Sequence, residues 1–295
     1  MSSDLCCPLC GASDAPLRYQ QHRLPIRQCA CGMVFLSPQP DDEQLREMYR
    51  SDYYRSWGIA GDDDESTRVM KQGTFVRRMK RLAGLVPIGR VLDVGCATGY
   101  FLEVAASAGW EVFGVELSDY ASELARRTFG DHVFNGTLEQ AHYPDGYFDL
   151  VTLSDLLEHV PDPRPFLSEV RRLLRPDGML MIVTPDVTSL SARLMGGRWS
   201  HYKQEHLHYF SPETITRLLS ESGFSVVLNG AAAKILNCAY VANQFRVYPH
   251  FLMTPLCRIV DTLLPASLKE WNFPVYCGEM LVLARNGRNS SREGA

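Results

Sequence analysis

Asp93 and Glu116 stand 23 residues apart, the first inside the apolar run 91–94 and the second just after the run 112–115. Between them, Gly95-Cys96-Ala97-Thr98-Gly99 reads as a tight turn leading into a helix. Gly95 and Gly99 permit positive φ and close backbone approach, so a ligand can lie against the turn and the helix N-terminus. A carboxylate at Asp93 would hinder a pyrophosphate. The dinucleotide spacing G-x-G-x-x-G is also missing, because Ala97 takes the middle position and Gly99 arrives one residue early. At the distance of Glu116 an acid can accept both hydroxyls of an adenosine ribose. The pair points to an adenosine with a cationic arm, unless both carboxylates simply cap turns.

A second group of chemically able residues opens the chain. Five of the nine cysteines, Cys6, Cys7, Cys10, Cys29 and Cys31, fall in the first 31 residues. Cys7-Pro8-Leu9-Cys10-Gly11 is a knuckle of two thiols on a turn, and Cys29-Ala30-Cys31-Gly32 follows it after 18 residues. Four thiolates satisfy tetrahedral zinc and close a structural site, with Cys7, Cys10, Cys29 and Cys31 as the ligands. In a stretch with few apolar residues such an ion would supply folding energy. The second knuckle has one residue between its cysteines where two are usual, so a metal-free loop, or Cys6 replacing a neighbour, stays open. Histidines form the third group. His159, His201, His206 and His208 are candidate general bases, the first three favoured, and Tyr202 and Tyr209 are groups able to hydrogen-bond an acceptor.

The elements that must position these residues follow from periodicity. From 90 to about 229, the apolar runs 91–94, 112–115, 148–153, 179–183 and 224–228 alternate with helical stretches. Strands that are apolar throughout are buried on both faces, so a parallel sheet covered by helices is expected. Ser211-Pro212 should cap a helix that stops at Gly223. Residues 41–89 read as a helical linker and cap: a helix through Tyr54, then a second with Phe75, Met79 and Leu82 on one face and Arg77, Arg78, Lys80 and Arg81 mainly elsewhere. Residues 230–278 read as an apolar insert carrying Phe245, Tyr248, His250, Phe251, Trp271, Phe273 and Tyr276. It could close over an acceptor, form a homodimer interface or be plain core. A last strand over 280–284 and a frayed tail over 286–295 complete the reading.

Composition narrows the function classes. A 45% hydrophobic chain is an ordinary folded one, which excludes disorder and low complexity. A net charge of -4 removes the long-range attraction that non-specific nucleic-acid binding uses. No run of about 18 apolar residues is free of charge, so no membrane span is expected. The first residues lack a signal-peptide pattern, so a reducing cytoplasm is expected, which favours metal over disulfide for the cysteines.

The segment 91–102 resembles the cofactor motif of class I S-adenosylmethionine-dependent methyltransferases, D-x-G-C-G-x-G, with Ala97 departing from it. The resemblance continues through 136–139, 148–163, 173–180 and 205–212, in the family's order. The opening cysteines, followed by Phe35-Leu36-Ser37-Pro38, look like the zinc-ribbon extension of a subgroup. The fold implied is a Rossmann-like doubly wound α/β sheet, parallel with an antiparallel last strand, preceded by a zinc-ribbon-like module over 1–40, with the methyltransferase domain over 90–285. The cofactors implied are S-adenosylmethionine and structural zinc. The resemblance assigns Asp93, Gly95, Cys96, Ala97 and Gly99 to the methionine end, Glu116 and Leu117 to the ribose, Thr137 and Leu138 to the adenine, and Ser154 and Asp155 to the sulfonium. The acceptor implied is a small molecule, a secondary metabolite or sugar-like compound, alkylated on oxygen, nitrogen or carbon. A non-catalytic zinc-ribbon scaffold is the alternative, and a nicotinamide oxidoreductase suits the fold but not the Asp93–Gly95 spacing.

Overall fold

Neighbouring residues of the central strands go to opposite sides of one sheet. In the computed structural model, which describes residues 6–21, 24–40, 44, 65–247 and 253–287, Leu180, Ile182 and Val282 join one buried cluster. Met179, Met181, Val183, Leu281 and Leu283 join the other. This period of two with apolar residues at every position is what a sheet covered on both faces requires. The strands are β4 (Arg90–Val94), β5 (Glu111–Glu116), β6 (Val133–Asn135), β7 (Phe148–Ser154), β8 (Leu174–Pro185), β10 (Phe224–Leu236) and β11 (Phe273–Asn286). Their order is β10-β11-β8-β7-β4-β5-β6, and β11 alone runs antiparallel to its neighbours. That is the fold class the sequence implies.

Helices cover both faces. On one, α4 (Pro163–Leu173) and α6 (Pro212–Glu221) contribute Leu167, Val170, Ile215 and Leu218. On the other, α2 (Tyr100–Ser107) and α3 (Asp119–Phe129) contribute Phe101, Leu102 and Ala125. Ser211 caps α6 as expected: its hydroxyl accepts from Thr214 N, the Thr214 hydroxyl accepts from Ser211 N, and Pro212 takes the first turn. Helix α1 (Glu65–Met79) packs on α2 and β10. Phe75 and Met79 face the core with Leu82, as their spacing predicts. The short α5 (Leu190–Met195) follows β8, and α7 (Cys238–Val247), α8 (Met253–Leu263) and α9 (Ala266–Lys269) lie between β10 and β11. Among the described residues no helix is long and apolar enough to cross a membrane.

A second, small sheet has the order β1-β2-β3-β9, from Leu17–Gln21, Leu24–Gln28, Val34–Leu36 and His208–Tyr209. The amino-terminal module is therefore completed by a strand 170 residues downstream. Its Cys7, Leu9, Cys29, Met33 and Phe35 share one cluster with Leu153 of the main sheet and Ile215 of α6.

Two expectations shift. Residues 230–236 and 273–278, read as part of an irregular insert, are strand, since Lys234–Val275 and Leu236–Phe273 pair in the β10–β11 hairpin. Asn286, read as tail, is buried and donates from Nδ2 to Leu174 O and Arg175 O. The helix expected through Tyr54, residues Tyr248, His250 and Phe251, and the tail from 288 lie outside the described residues.

Candidate active site

The carboxyl ends of β4, β5 and β7 come together at one rim, where open parallel sheets bind ligands. The turn after β4 is left-handed at Gly95 (φ 75°), Ala97 (φ 47°) and Gly99 (φ 90°). Gly95 N and Cys96 N both donate to Val115 O, at 2.8 and 3.1 Å, which fastens the turn to the end of β5. An alanine in this region costs roughly 1–2 kcal/mol. Glu116 offsets that cost: its Oε2 accepts from Ala97 N at 2.9 Å, while Oε1 accepts from Ser118 N at 2.8 Å. One buried carboxylate thus clamps the turn and the chain leaving β5.

Asp93 is equally buried and accepts a hydrogen bond from the Thr152 hydroxyl. Burial pushes its carboxyl up to about 7; the charge of Glu116 adds to the rise, while the Thr152 hydrogen bond and Arg78 oppose it. Leu117 stands 54% exposed just past the tip of β5. Thr137 is exposed and Leu138 buried beside it. Ser154 Oγ, at the end of β7, and Thr98 Oγ1, in the turn, are buried polar atoms without a hydrogen-bond partner. Cys96 differs from the other predicted cofactor residues, because its side chain belongs to the core packed on α2, and burial pushes its thiol well up.

The three candidate bases meet on the other side of Asp155. His159 and His206 pack edge-to-face with ring centroids 4.7 Å apart, and His201 stacks on His206 at 6.2 Å. His159 Nδ1 lies 2.9 Å from Glu205 O, and a carbonyl only accepts, so this nitrogen carries the proton. His206 Nδ1 is buried and has no partner. Burial lowers all three imidazoles, His159 to about 4, His201 to about 3 and His206 well below its ordinary value. They are neutral near pH 7. Glu158 lies against them, fully buried, with Oε2 accepting from the Thr184 hydroxyl at 2.9 Å and Oε1 unpartnered. Burial and the charge of Asp155 push its carboxyl up to about 8. Glu158, His159 and His206 each offer a ligand atom within 4.8 Å of the others.

The remaining aromatic candidates are buried. His208 is buried in β9 with Nε2 directed at Val160 O, 2.9 Å away. Tyr202 is buried, and Tyr209 is fully so, its hydroxyl donating to Lys203 O. Tyr202 and Tyr209 join the apolar cluster of the small sheet, whereas His208, next to Tyr209 in β9, points to the opposite side, toward Val160 and Pro161.

Sequence reasoning missed Arg78, Lys234 and Glu279. Arg78, placed by periodicity on the polar face of α1, is 4% exposed and pairs with Glu279 at 3.4 Å and Asp155 at 3.9 Å. Lys234 from β10 lies 3.7 Å from Asp155 and also pairs with Glu279 of β11. Asp155 itself has a left-handed backbone (φ 54°), held by its N–H to Val183 O. Lys234 and Arg78 outweigh burial and hold its carboxyl down at about 2. The available signal was Lys234, the one charge in β10, and Glu279, which precedes the apolar run 280–284 of β11.

The cysteine cluster closes as the spacing suggests. Cys7 Sγ and Cys31 Sγ are 3.6 Å apart, Cys10 Sγ and Cys29 Sγ 3.5 Å, and all four lie within 4.8 Å of one another. Thiolates around tetrahedral zinc at about 2.3 Å stand roughly 3.8 Å apart, so the set fits that ion. Gly11 N donates to Cys7 O and Gly32 N to Cys29 O, closing both knuckles despite the single Ala30.

Residues 67–229, more than half of the chain, match a family model described as Methyltransferase domain. A ubiquinone biosynthesis O-methyltransferase of Actinobacillus pleuropneumoniae is 36% identical over 109 residues, covering 32% of this chain and 45% of that protein. A mitochondrial ubiquinone biosynthesis O-methyltransferase of Schizosaccharomyces pombe is 38% identical over 113 residues, covering 36% and 41%. The chain thus spans less than half the length of these two relatives. Among solved structures, a SAM-dependent methyltransferase from Archaeoglobus fulgidus aligns with a TM-score of 0.53 at 20% identity, over 79% of this chain and 100% of that one.

Proposed function

The chain belongs to the methyltransferase-domain family, and from that premise we propose that it binds S-adenosylmethionine and transfers its methyl group to a small-molecule acceptor. The observation that carries this reading is the pair of buried carboxylates, Asp93 and Glu116, at the tips of neighbouring strands around a left-handed turn. Glu116 holds the turn through both oxygens, and in this reading the same carboxylate accepts the ribose hydroxyls. Leu117 covers one face of the adenine, and Thr137 and Leu138 flank it. Gly95, Ala97 and Gly99 line the methionine end, with Cys96 anchoring the turn from beneath. The unpartnered hydroxyls of Thr98 and Ser154 are supplied with partners there. Asp93 and Asp155 face the sulfonium.

When bound, S-adenosylmethionine supplies an activated methyl group open to in-line displacement. The protein then has to orient the acceptor and receive its proton. His206 Nδ1, buried and unpartnered, takes that role in this reading, with His201 and His159 packed around it. Neutral imidazoles at pH 7 accept a hydrogen bond without first losing a proton, which suits orientation more than strong base catalysis. The names of the relatives support an oxygen acceptor. Zinc at Cys7, Cys10, Cys29 and Cys31 is structural in this reading.

Titration calorimetry with S-adenosylhomocysteine tests the cofactor half, with saturable binding of one molecule per chain expected. Methyl transfer to a panel of phenols, catechols and sugars, followed by mass spectrometry, tests the rest. A parent chain that gives no heat with S-adenosylhomocysteine would sink the proposal.

A further inference from the structure

We propose that the four-cysteine cluster is a positioning device for the acceptor side of the cleft: a thiophilic divalent ion held by Cys7, Cys10, Cys29 and Cys31 fixes the backbone that carries His206. The route is short. Cys29 N donates to Met33 O at 2.9 Å, locking the second knuckle onto the residue before β3. All three residues of β3 are buried. Its free edge pairs with β9, Val34 opposite Tyr209 and Phe35 opposite His208, and Leu36 N donates to Leu207 O at 2.9 Å. From the far side, Leu207 N donates to Glu158 O at 2.9 Å, and the His159 ring donates to Glu205 O. Residues 205–209 are therefore strung between β3 and the turn after β7, with His206 in the middle.

The first knuckle is tied in separately. Arg164, in the first turn of α4, donates from Nη2 to Leu9 O at 2.6 Å and pairs with Glu221 of α6. Both knuckles thus touch elements that frame the acceptor side. The cofactor turn is fastened elsewhere, to Val115 and Glu116 of β5.

An ion matters here because the small sheet has little of its own to hold it. Strands of two to five residues are marginal alone. Four reduced thiols offer each other only weak contacts, whereas four metal–thiolate bonds tie 7–10 to 29–31 directly. With the ion in place β3 is a rigid edge for β9; without it, β3 and residues 205–209 loosen together.

The zinc and exchange readouts need neither cofactor nor acceptor, so their failure is distinct from failure of the proposed activity. Zinc is measured on the full chain, then removed with a chelator under reducing conditions, and amide hydrogen exchange is compared. Exchange at 33–37 and 205–209 should rise at least about tenfold, with 90–94 and 111–116 unchanged. S-adenosylhomocysteine affinity, measured on both forms, should stay within about twofold. Cys10→Ser, at an exposed ligand, should reproduce the pattern, and Cys6→Ser, outside the cluster, should not. Unchanged exchange at 205–209 after zinc loss would overturn the proposal, as would a rise spread evenly over all segments or a purified chain that holds no zinc.

Discussion

Replacing Glu116 by glutamine looks conservative and is expected not to be. The two carboxylate oxygens each accept a main-chain N–H, Oε2 from Ala97 and Oε1 from Ser118. Glutamine has one acceptor oxygen and one amide NH2, so in either orientation a donor faces a donor. One charge-assisted bond, about 1.5–3 kcal/mol, is lost, and the surviving bond falls to the neutral value of about 1 kcal/mol. Relaxation of the turn recovers part of this, since Ala97 no longer has to hold φ 47°. The net expectation is roughly 2–3 kcal/mol of stability in the ligand-free chain, or about 3–5 °C in Tm. Losing one charge-assisted ribose bond and weakening the other should weaken S-adenosylhomocysteine by about 100-fold, at about 1.4 kcal/mol per factor of ten. Urea unfolding and calorimetry read the two effects. Glu111→Gln, at the other end of β5 where Glu111 pairs with Arg90 at the surface, is the control and should cost at most about 1 kcal/mol. Equal stability and equal ligand affinity for both variants would refute the clamp.

Asp93→Asn gives a pH signature. Burial lifts the folded carboxyl to about 7, so between about pH 4 and 7 the unfolded chain has released this proton while the folded chain keeps it. The group's contribution to stability therefore falls as pH rises through that window and levels off above it; a parent-minus-variant stability difference that stays flat from pH 4 to 8 contradicts the assignment. In the ligand, ionised Asp93 should favour the sulfonium, so the affinity for S-adenosylmethionine relative to S-adenosylhomocysteine should increase through about pH 7, measured by calorimetry in matched buffers. Arg78→Met leaves Glu279 and Asp155 sharing Lys234 in a buried setting and should cost about 3–5 kcal/mol in urea unfolding, with Arg78→Met/Glu279→Leu recovering part of it. A loss no larger than that of the exposed Arg127→Met would count against the buried network.

What could be read in the sequence was what local spacing encodes. The glycine turn, the acid at the end of β5 and the capped helix after Ser211 all depend on residues close in the chain, and each stands where expected. The charged cluster around Asp155 was hidden because its members come from α1, β7, β10 and β11. Helical periodicity assigned Arg78 to the polar face, since no pattern within α1 shows that Glu279 waits 201 residues away. Lys234 and Glu279 also disguised the hairpin, shortening two apolar runs that the structure continues as strands. His201 and His206 read the same as His208 in sequence. The pairing of β9 with β3 leaves His208 and Tyr209 buried on opposite faces of the small sheet.

That pairing sets an order of events during synthesis. The four thiols leave the ribosome with Val34–Leu36 already made, but His208–Tyr209, which completes their sheet, follows about 170 residues later. At translation speeds of about 5–20 residues per second the nascent segment waits roughly ten to thirty seconds for its last strand. During that interval β3 is an uncovered edge beside nucleophilic sulfur. Early capture of an ion would protect both, and cells starved of zinc should accumulate this chain as thiol-modified or aggregated nascent product before any shortfall in finished protein shows.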